Sequence, residues 1–143
     1  MNVIISLVQT KGGTGKSTLA LNFAFSKTFQ NKFSSIALVE LDPQGTLHQW
    51  WLERESNGYK SKSVSFHHIA SSQKEVIQDG IRSIASRNKL LLLDIPGEST
   101  GKLHTRLACA ISDIVIIPMR SSTNDESALA NNLLPIIKEV LKR

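Results

Sequence analysis

The sequence has few of the features that mark secreted, disulfide-stabilised or membrane-spanning proteins. Cys109 is the one cysteine among 143 residues, which excludes a disulfide scaffold. Apolar runs such as residues 90–93 and 114–117 fall far short of a bilayer span. The first five residues lack a basic segment and a small-residue cleavage site, so we expect no secretory signal. We therefore expect a cytoplasmic protein that does not bind membranes.

The composition is that of a folded domain with a basic surface. Hydrophobic residues make up 41% of the chain and charged residues 20%, which excludes a disordered protein. The length predicts a single domain over residues 1–143. The formal net charge of +5 indicates a polyanionic partner without identifying it.

Short apolar runs alternate with longer helical stretches along the chain. Continuous apolar strands separated by helices are typical of a parallel sheet covered on both faces. The predicted fold class is therefore three-layer α/β. We predict strands at residues 3–8, 35–41, 64–69, 90–95 and 114–117. We predict helices at 16–31 and 47–55, from 72, at 103–111, and at the end of the chain with a kink at Pro135.

A glycine-rich turn between the first strand and the first helix carries the strongest signal. Glycine lets successive backbone N–H groups converge on an anion, and a helix N-terminus adds its positive dipole end. Lys16 would then reach the β and γ phosphates of a nucleotide, the Ser17 hydroxyl would ligate Mg²⁺, and Thr18 would bond the α phosphate. The predicted phosphate loop is Lys11, Gly12, Gly13, Thr14, Gly15, Lys16, Ser17 and Thr18.

Acidic residues end two of the predicted strands. Glu40 and Asp42 are two residues apart, so on a strand their side chains point to the same face. Asp94 follows four leucines, the form of a Walker B strand whose Asp holds Mg²⁺ through water. Because open α/β sheets bind ligands at the carboxyl ends of their strands, these carboxylates are candidate site residues.

The loop departs from the common phosphate loop and resembles that of one family. Thr10 stands where the common pattern has Gly, and an extra lysine, Lys11, opens the loop. This resembles the deviant phosphate loop of the ParA/MinD/Soj family of P-loop ATPases. The resemblance implies that Lys11 reaches the phosphates of a partner subunit and that Asp42 orients the attacking water. It also implies that Pro118 lies near the base.

The resemblance covers essentially the whole chain and implies a function. Trp50 and Trp51, with Arg54, resemble the small plasmid-type ParA proteins. The family resemblance implies a slow ATPase, using ATP and Mg²⁺, that acts in plasmid or chromosome partition. It also implies an ATP-dependent homodimer that binds non-specific DNA and is stimulated by a ParB-like protein.

Three features depart from the family pattern. Glu40 stands where the family commonly has Asp, and its longer side chain would contact Lys11 or a metal-bound water. Gly97 replaces a frequent second proline. The chain is also shorter than the family usually is, so we expect the usual C-terminal strands and helices to be missing.

Two other function classes stay open. The departures at Glu40 and Gly97 would suit a regulatory or scaffold protein with a degenerate ATPase, and the same ATPase type serves conjugative or T-DNA transfer. A small-molecule enzyme on the same scaffold is the third class, although Lys11 and the segment from Asp42 to Gln44 argue against it. The histidines show no metal-ligand spacing, so we interpret them as structural or surface residues.

Overall fold

A parallel sheet of five strands lies at the centre of a computed structural model that describes residues 2–8, 16–97, 101–119, 126–127 and 129–141. The strand order is β3-β2-β4-β1-β5, and every pair of neighbours is parallel. Each strand lies inside its predicted range, which confirms the α/β prediction. The strands are β1 (Val3–Leu7), β2 (Ile36–Glu40), β3 (Val64–His68), β4 (Leu90–Asp94) and β5 (Ile114–Ile116).

Helices connect the strands, as a parallel sheet requires. A π-helical segment, Leu129–Leu133, leads directly into the last helix. The α-helices are α1 (Lys16–Ala24), α2 (Lys27–Lys32), α3 (Thr46–Ser56), α4 (Lys74–Ala85), α5 (Gly101–Ile111) and α6 (Leu134–Leu141). Among the described residues, no helix is long and apolar enough to cross a membrane.

The core consists of two hydrophobic clusters, one on each face of the sheet. All residues of β2 and β4 are buried, and successive side chains of a strand point to opposite faces. One cluster joins alternate residues of these strands to α4, α5 and the segment before α6: Ala37, Val39, Leu91, Leu93, Ile77, Ile81, Leu107 and Leu133. The other joins the remaining alternate residues to α1 and α3: Ile36, Leu38, Leu90, Leu92, Ala20, Ala24, Leu47 and Trp51. The result is the predicted three-layer arrangement.

The prediction of one continuous helix over residues 16–31 was wrong. The chain breaks after α1, and Ser26 adopts an extended backbone with φ −65° and ψ 130°. The Ser26 Oγ accepts a hydrogen bond from the Phe29 N–H at 3.4 Å. Serine at this position satisfies an N–H group that the new helix leaves unpaired, so the polar residue inside an apolar pattern marks the start of α2.

The irregularity predicted at Pro135 coincides with a change of helix type. The π-helical segment ends at Leu133, and α6 begins at Leu134, one residue before Pro135. Proline has no N–H to donate to the preceding turn, so a regular α-helical hydrogen-bond pattern cannot pass through this position.

Candidate functional site

The carboxyl ends of the strands align in one row across the sheet. The strand register pairs Glu40 with both Asp94 and His68, and it pairs Leu7 with both Asp94 and Ile116. Residues in one row of a parallel sheet present their side chains to the same face. The row therefore brings the two predicted acidic strand ends, Glu40 and Asp94, side by side on the face that carries α1 and α3.

Lys16, Ser17 and Asp94 form a polar cluster at this edge, in which Lys16 and Asp94 are buried and Ser17 is half-buried. Lys16 is the first residue of α1, and its ammonium forms an ion pair with the Asp94 carboxylate. The Ser17 hydroxyl donates to Asp94 Oδ2 at 3.2 Å. The exposed fraction is 6% for Lys16 and 1% for Asp94. A buried charge is stable only when it is paired and hydrogen-bonded, and these contacts meet that condition.

Lys16 and Ser17 lie where the phosphate loop joins its helix. Residues 9–15, which include Lys11, Gly12, Gly13, Thr14 and Gly15, lie outside the described residues. The structure describes the strand before the loop and the helix after it: β1 ends at Leu7, and α1 begins at Lys16. Thr18, the last residue of the predicted loop, is exposed on α1.

Asp42 lies in the turn that connects β2 to α3. Its Oδ1 accepts a hydrogen bond from the Gln44 N–H at 2.9 Å, and its backbone carbonyl accepts one from the Gly45 N–H at 3.1 Å. The neighbouring Leu41 N–H donates to the Asp94 carbonyl at 3.0 Å. These bonds hold the half-buried Asp42 in a defined turn one residue beyond the point where β2 is joined to β4.

The structure places Glu40 at the N-terminus of α3. Its Oε2 accepts the Leu47 N–H and its Oε1 accepts the His48 N–H, each at 3.0 Å. Only 1% of Glu40 is exposed. Burial raises the pKa of the Glu40 carboxyl above 4.5, and the two backbone N–H groups act in the opposite direction without overcoming it. Sequence reasoning did not foresee these contacts.

Two histidines pack beside the Asp42 turn. The His68 Nε2 lies 2.7 Å from the Asp42 carbonyl oxygen. The ring centroids of His48 and His68 are 5.0 Å apart. A Cβ on Gly45, which has φ +69°, would lie 3.0 Å from His68 Cε1. In the part of the chain that the structure describes, no three histidine, cysteine or acidic side chains are grouped to hold a metal.

The remaining predicted site residue, Pro118, lies two residues beyond the end of β5 and is half-buried.

Cys109 is a half-buried helical residue, and burial raises the pKa of its thiol. A raised thiol pKa disfavours the reactive thiolate, so nothing in the surroundings of Cys109 points to redox chemistry.

Solved structures with the same fold include three that bind nucleotide or DNA. A Borrelia burgdorferi protein described as a plasmid partition protein, bound to AMPPNP, matches with a TM-score of 0.74, 18% identity and coverage of 99% of this chain and 72% of its own. Cobyrinic acid a,c-diamide synthase of Mycobacterium smegmatis, bound to ADP and magnesium, matches with a TM-score of 0.75 and 17% identity, covering 99% and 69%. The pNOB8 ParA protein, bound to nonspecific DNA, matches with a TM-score of 0.63 and 14% identity, covering 94% and 60%. At these identities the likeness shows the fold.

Comparison of the sequence itself identifies the family. An uncharacterized protein of Methanocaldococcus jannaschii is 32% identical over 90 residues, which are 62% of this chain. The aligned part is 34% of that relative, so the chain spans about a third of its length. A model of the CobQ/CobB/MinD/ParA nucleotide-binding domain matches residues 5–140. The chain therefore belongs to the CobQ/CobB/MinD/ParA family of nucleotide-binding domains, as the resemblance of its phosphate loop predicted.

Proposed function

We propose that the chain binds ATP with Mg²⁺ at the corner where α1 meets the end of β4, and that it hydrolyses the bound ATP slowly. One observation carries this proposal: Lys16 and Ser17 meet Asp94 in a polar cluster directly after the predicted phosphate loop. The Lys16 ammonium would move from Asp94 to the β and γ phosphates. Backbone N–H groups of residues 11–15, together with the N-terminus of α1, would bind the phosphate oxygens.

The oxygen atoms at this corner suit Mg²⁺, which prefers hard oxygen ligands and keeps several waters. Ser17 Oγ and Asp94 Oδ2 are 3.2 Å apart, so both can serve one ion. We propose that Ser17 ligates the metal directly and that Asp94 holds it through water. The metal would neutralise charge on the phosphates.

We propose that Asp42 orients the attacking water. Two observations support this role: the Asp42 turn follows Leu41, whose N–H bonds to the Asp94 carbonyl, and the Gln44 N–H fixes the orientation of the carboxylate. We also propose that Lys11 acts on the phosphates of a second subunit in an ATP-sandwich dimer, where a second cation would stabilise the developing charge.

The biological role we propose is partition of a plasmid or chromosome in the cytoplasm. Family membership supports it, as do the names of the Borrelia burgdorferi and pNOB8 proteins. The net charge of +5 suits a non-specific DNA partner. A ParB-like protein would stimulate the slow hydrolysis.

The first experiment measures nucleotide affinity. We expect the wild-type chain to bind Mg-ATP and Lys16→Ala to bind it about 100-fold more weakly, because a charge-assisted contact to phosphate is lost. Lys89→Ala is the matched control, since Lys89 is exposed next to the opposite end of β4. Lys16→Gln keeps a donor to Asp94 and serves if Lys16→Ala does not fold. Unchanged ATP affinity in both Lys16 variants would refute the proposed site.

A second candidate function is a nucleotide-binding switch that does not hydrolyse ATP. The contacts of Glu40 favour it, because both oxygens of this carboxylate are bonded to the backbone of α3 and are not directed to a ligand. Steady-state phosphate release separates the two functions. Slow release by the wild type that is lost in Asp42→Asn but kept in the exposed control Asp79→Asn supports an ATPase. Nucleotide binding without release supports the switch.

The proposed dimer is tested by light scattering after size exclusion. We expect the apparent mass to double in the presence of ATP and Mg²⁺, and we expect Asp42→Asn to prolong the dimer because hydrolysis would end it. A monomer under all conditions would refute the sandwich mechanism while leaving nucleotide binding intact.

A further inference from the structure

Helix α3 begins without a capping side chain of its own. Its N-cap residue is Gly45, in the left-handed conformation with φ +69° and with no side-chain hydrogen bond to the helix. The first N–H groups of a helix have no partner inside it and need an acceptor from elsewhere. Glu40, five residues before Gly45, supplies both carboxylate oxygens, one to Leu47 and one to His48.

The contact between Glu40 and α3 also anchors the short loop of residues 41–45, which joins β2 to α3. Glu40 belongs to β2, and its neighbour Leu41 is bonded to the Asp94 carbonyl. At the other end, Gly45 is followed by the α3 turn that Glu40 holds. Between these anchors lie Asp42, Pro43 and Gln44, and the Asp42 carbonyl has the His68 ring 2.7 Å away.

We infer that Glu40 is a positioning residue, whose carboxylate fixes the N-terminus of α3 to the sheet and thereby holds the Asp42 turn beside Asp94. The inference deepens the proposed function, and it rests on that function only for the role given to Asp42. Each oxygen of the Glu40 carboxyl group accepts one N–H group that the helix leaves unpaired, so Glu40 caps α3 from the preceding strand.

A competing role for Glu40 is contact with a metal-bound water. Both oxygens already accept an N–H at 3.0 Å, so metal contact would use only the remaining lone pairs. The two roles predict different defects. Loss of a metal contact lowers the Mg²⁺ dependence of ATP binding, whereas loss of the cap loosens residues 42–48 in the absence of any nucleotide.

Amide hydrogen exchange of the nucleotide-free chain measures the cap directly. We expect Glu40→Gln to exchange about tenfold faster than the wild type at Leu47 or His48, because the amide has one acceptor oxygen in place of two and one of these N–H groups loses its acceptor. Glu40→Ala, which removes both acceptors, should exchange faster still. The matched control is Ser26→Ala, which removes the cap of α2; its faster exchange should be confined to α2.

Steady-state kinetics of the same variants measure the consequence for the reaction. We expect kcat to fall in the order wild type, Glu40→Gln, Glu40→Ala, by about tenfold at the first step. ATP affinity should stay within about threefold, since the hydrogen bonds of Glu40 go to the backbone of α3 and not to Lys16, Ser17 or Asp94. If Glu40 acts by positioning the Asp42 turn, Glu40→Gln should retain more of the wild-type kcat than Glu40→Ala does. The control Ser26→Ala should keep the wild-type kcat.

The outcomes separate the inference from the function on which it rests. Unchanged exchange at residues 42–48 in Glu40→Gln overturns the inference, as does faster exchange with unchanged kcat. Loss of Mg²⁺-dependent ATP binding in Glu40→Gln, with exchange unchanged, assigns Glu40 to the metal instead. If the wild type binds ATP without hydrolysing it, the proposed ATPase fails, and the exchange results alone decide whether Glu40 holds the Asp42 turn.

Discussion

Two carboxylates lie side by side in one row of the sheet and have different hydrogen-bond partners. Glu40 ends β2 and Asp94 ends β4, the strand register pairs them, and each is 1% exposed. Asp94 meets a cation and a hydroxyl, those of Lys16 and Ser17. Glu40 meets only backbone N–H groups among its hydrogen bonds within the described chain, and those groups belong to α3.

The difference shows that the partner of a buried carboxylate decides its role. The contacts of Asp94 can be exchanged for new ones, because the Lys16 ammonium is attracted to phosphate and the Ser17 hydroxyl oxygen can ligate a metal ion. The Glu40 contacts are fixed by the backbone of a helix. We therefore assign ligand binding to the β4 corner, where Asp94 meets Lys16 and Ser17, and loop anchoring to the β2 corner, where Glu40 meets α3. The following predictions compare these two corners.

The largest expected effect is on the Lys16–Asp94 pair. Lys16→Ala or Asp94→Asn leaves one charge buried without its partner, which costs about 3–5 kcal/mol of unfolding free energy. The double variant removes both charges and should cost much less than the sum of the single changes. Chemical denaturation measures all three. Single variants within about 1 kcal/mol of the wild type would show that this pair is not buried in solution.

A smaller effect is expected at the β2 corner. Glu40→Ala leaves the Leu47 and His48 N–H groups without acceptors and should lower the unfolding free energy by about 2 kcal/mol. Here no opposite charge is stranded, so no second substitution should rescue it in the way that the double variant rescues the other corner. A cost as large as that of Asp94→Asn would remove the distinction between the two carboxylates.

The pH dependence of stability isolates the Glu40 charge. Burial raises the pKa of Glu40 in the folded chain, so its contribution to stability is complete below the unfolded pKa and is lost as pH rises through the folded pKa. Gln at this position cannot ionise. The unfolding free energy of the wild type minus that of Glu40→Gln should therefore fall as pH rises from about 4 toward 8. A rise of that quantity with pH would mean that the N–H groups outweigh burial.

The smallest effect is expected in the last turn of α3, at the end opposite to the one that Glu40 caps. The Arg54 guanidinium lies over the rings of Phe25 and Trp51, with its Cζ 4.6 and 5.2 Å from their centroids. Arg54→Ala should lower stability by about 0.5–1 kcal/mol. ATP affinity and kcat should not change. A tenfold loss of kcat would contradict this prediction and would show that the reaction depends on more of α3 than the N-terminus that Glu40 caps.

The sequence was sufficient to predict the sheet and the neighbourhood of the acidic residues. Short runs rich in apolar residues placed β1, β2, β4 and β5, the segment 64–69 was predicted as a strand despite its polar residues, and the carboxyl-end rule placed Glu40, Asp42 and Asp94 at one edge. The break at Ser26 was missed, since a serine that follows an apolar stretch indicates a new helix start only as a local preference.

The role of Glu40 was missed for a different reason. Its bonds join a strand to a helix that begins several residues later, and such a contact depends on how the turn between them folds. The sequence also pointed to another cap: Thr46 precedes the helix predicted at residues 47–55 and is a preferred N-cap residue. The structure instead begins α3 at Thr46 and places Gly45, which has no capping side chain, at the N-cap.

The most direct test is a calorimetric titration of ATP, with Mg²⁺ and with EDTA, into the wild type, Asp94→Asn and Glu40→Gln. We predict that the wild type binds ATP more tightly with Mg²⁺, that Asp94→Asn loses this Mg²⁺ dependence, and that Glu40→Gln keeps it. Absence of ATP binding by the wild type, or loss of the Mg²⁺ dependence in Glu40→Gln but not in Asp94→Asn, would contradict the assignment of ligand binding to the Lys16, Ser17 and Asp94 corner.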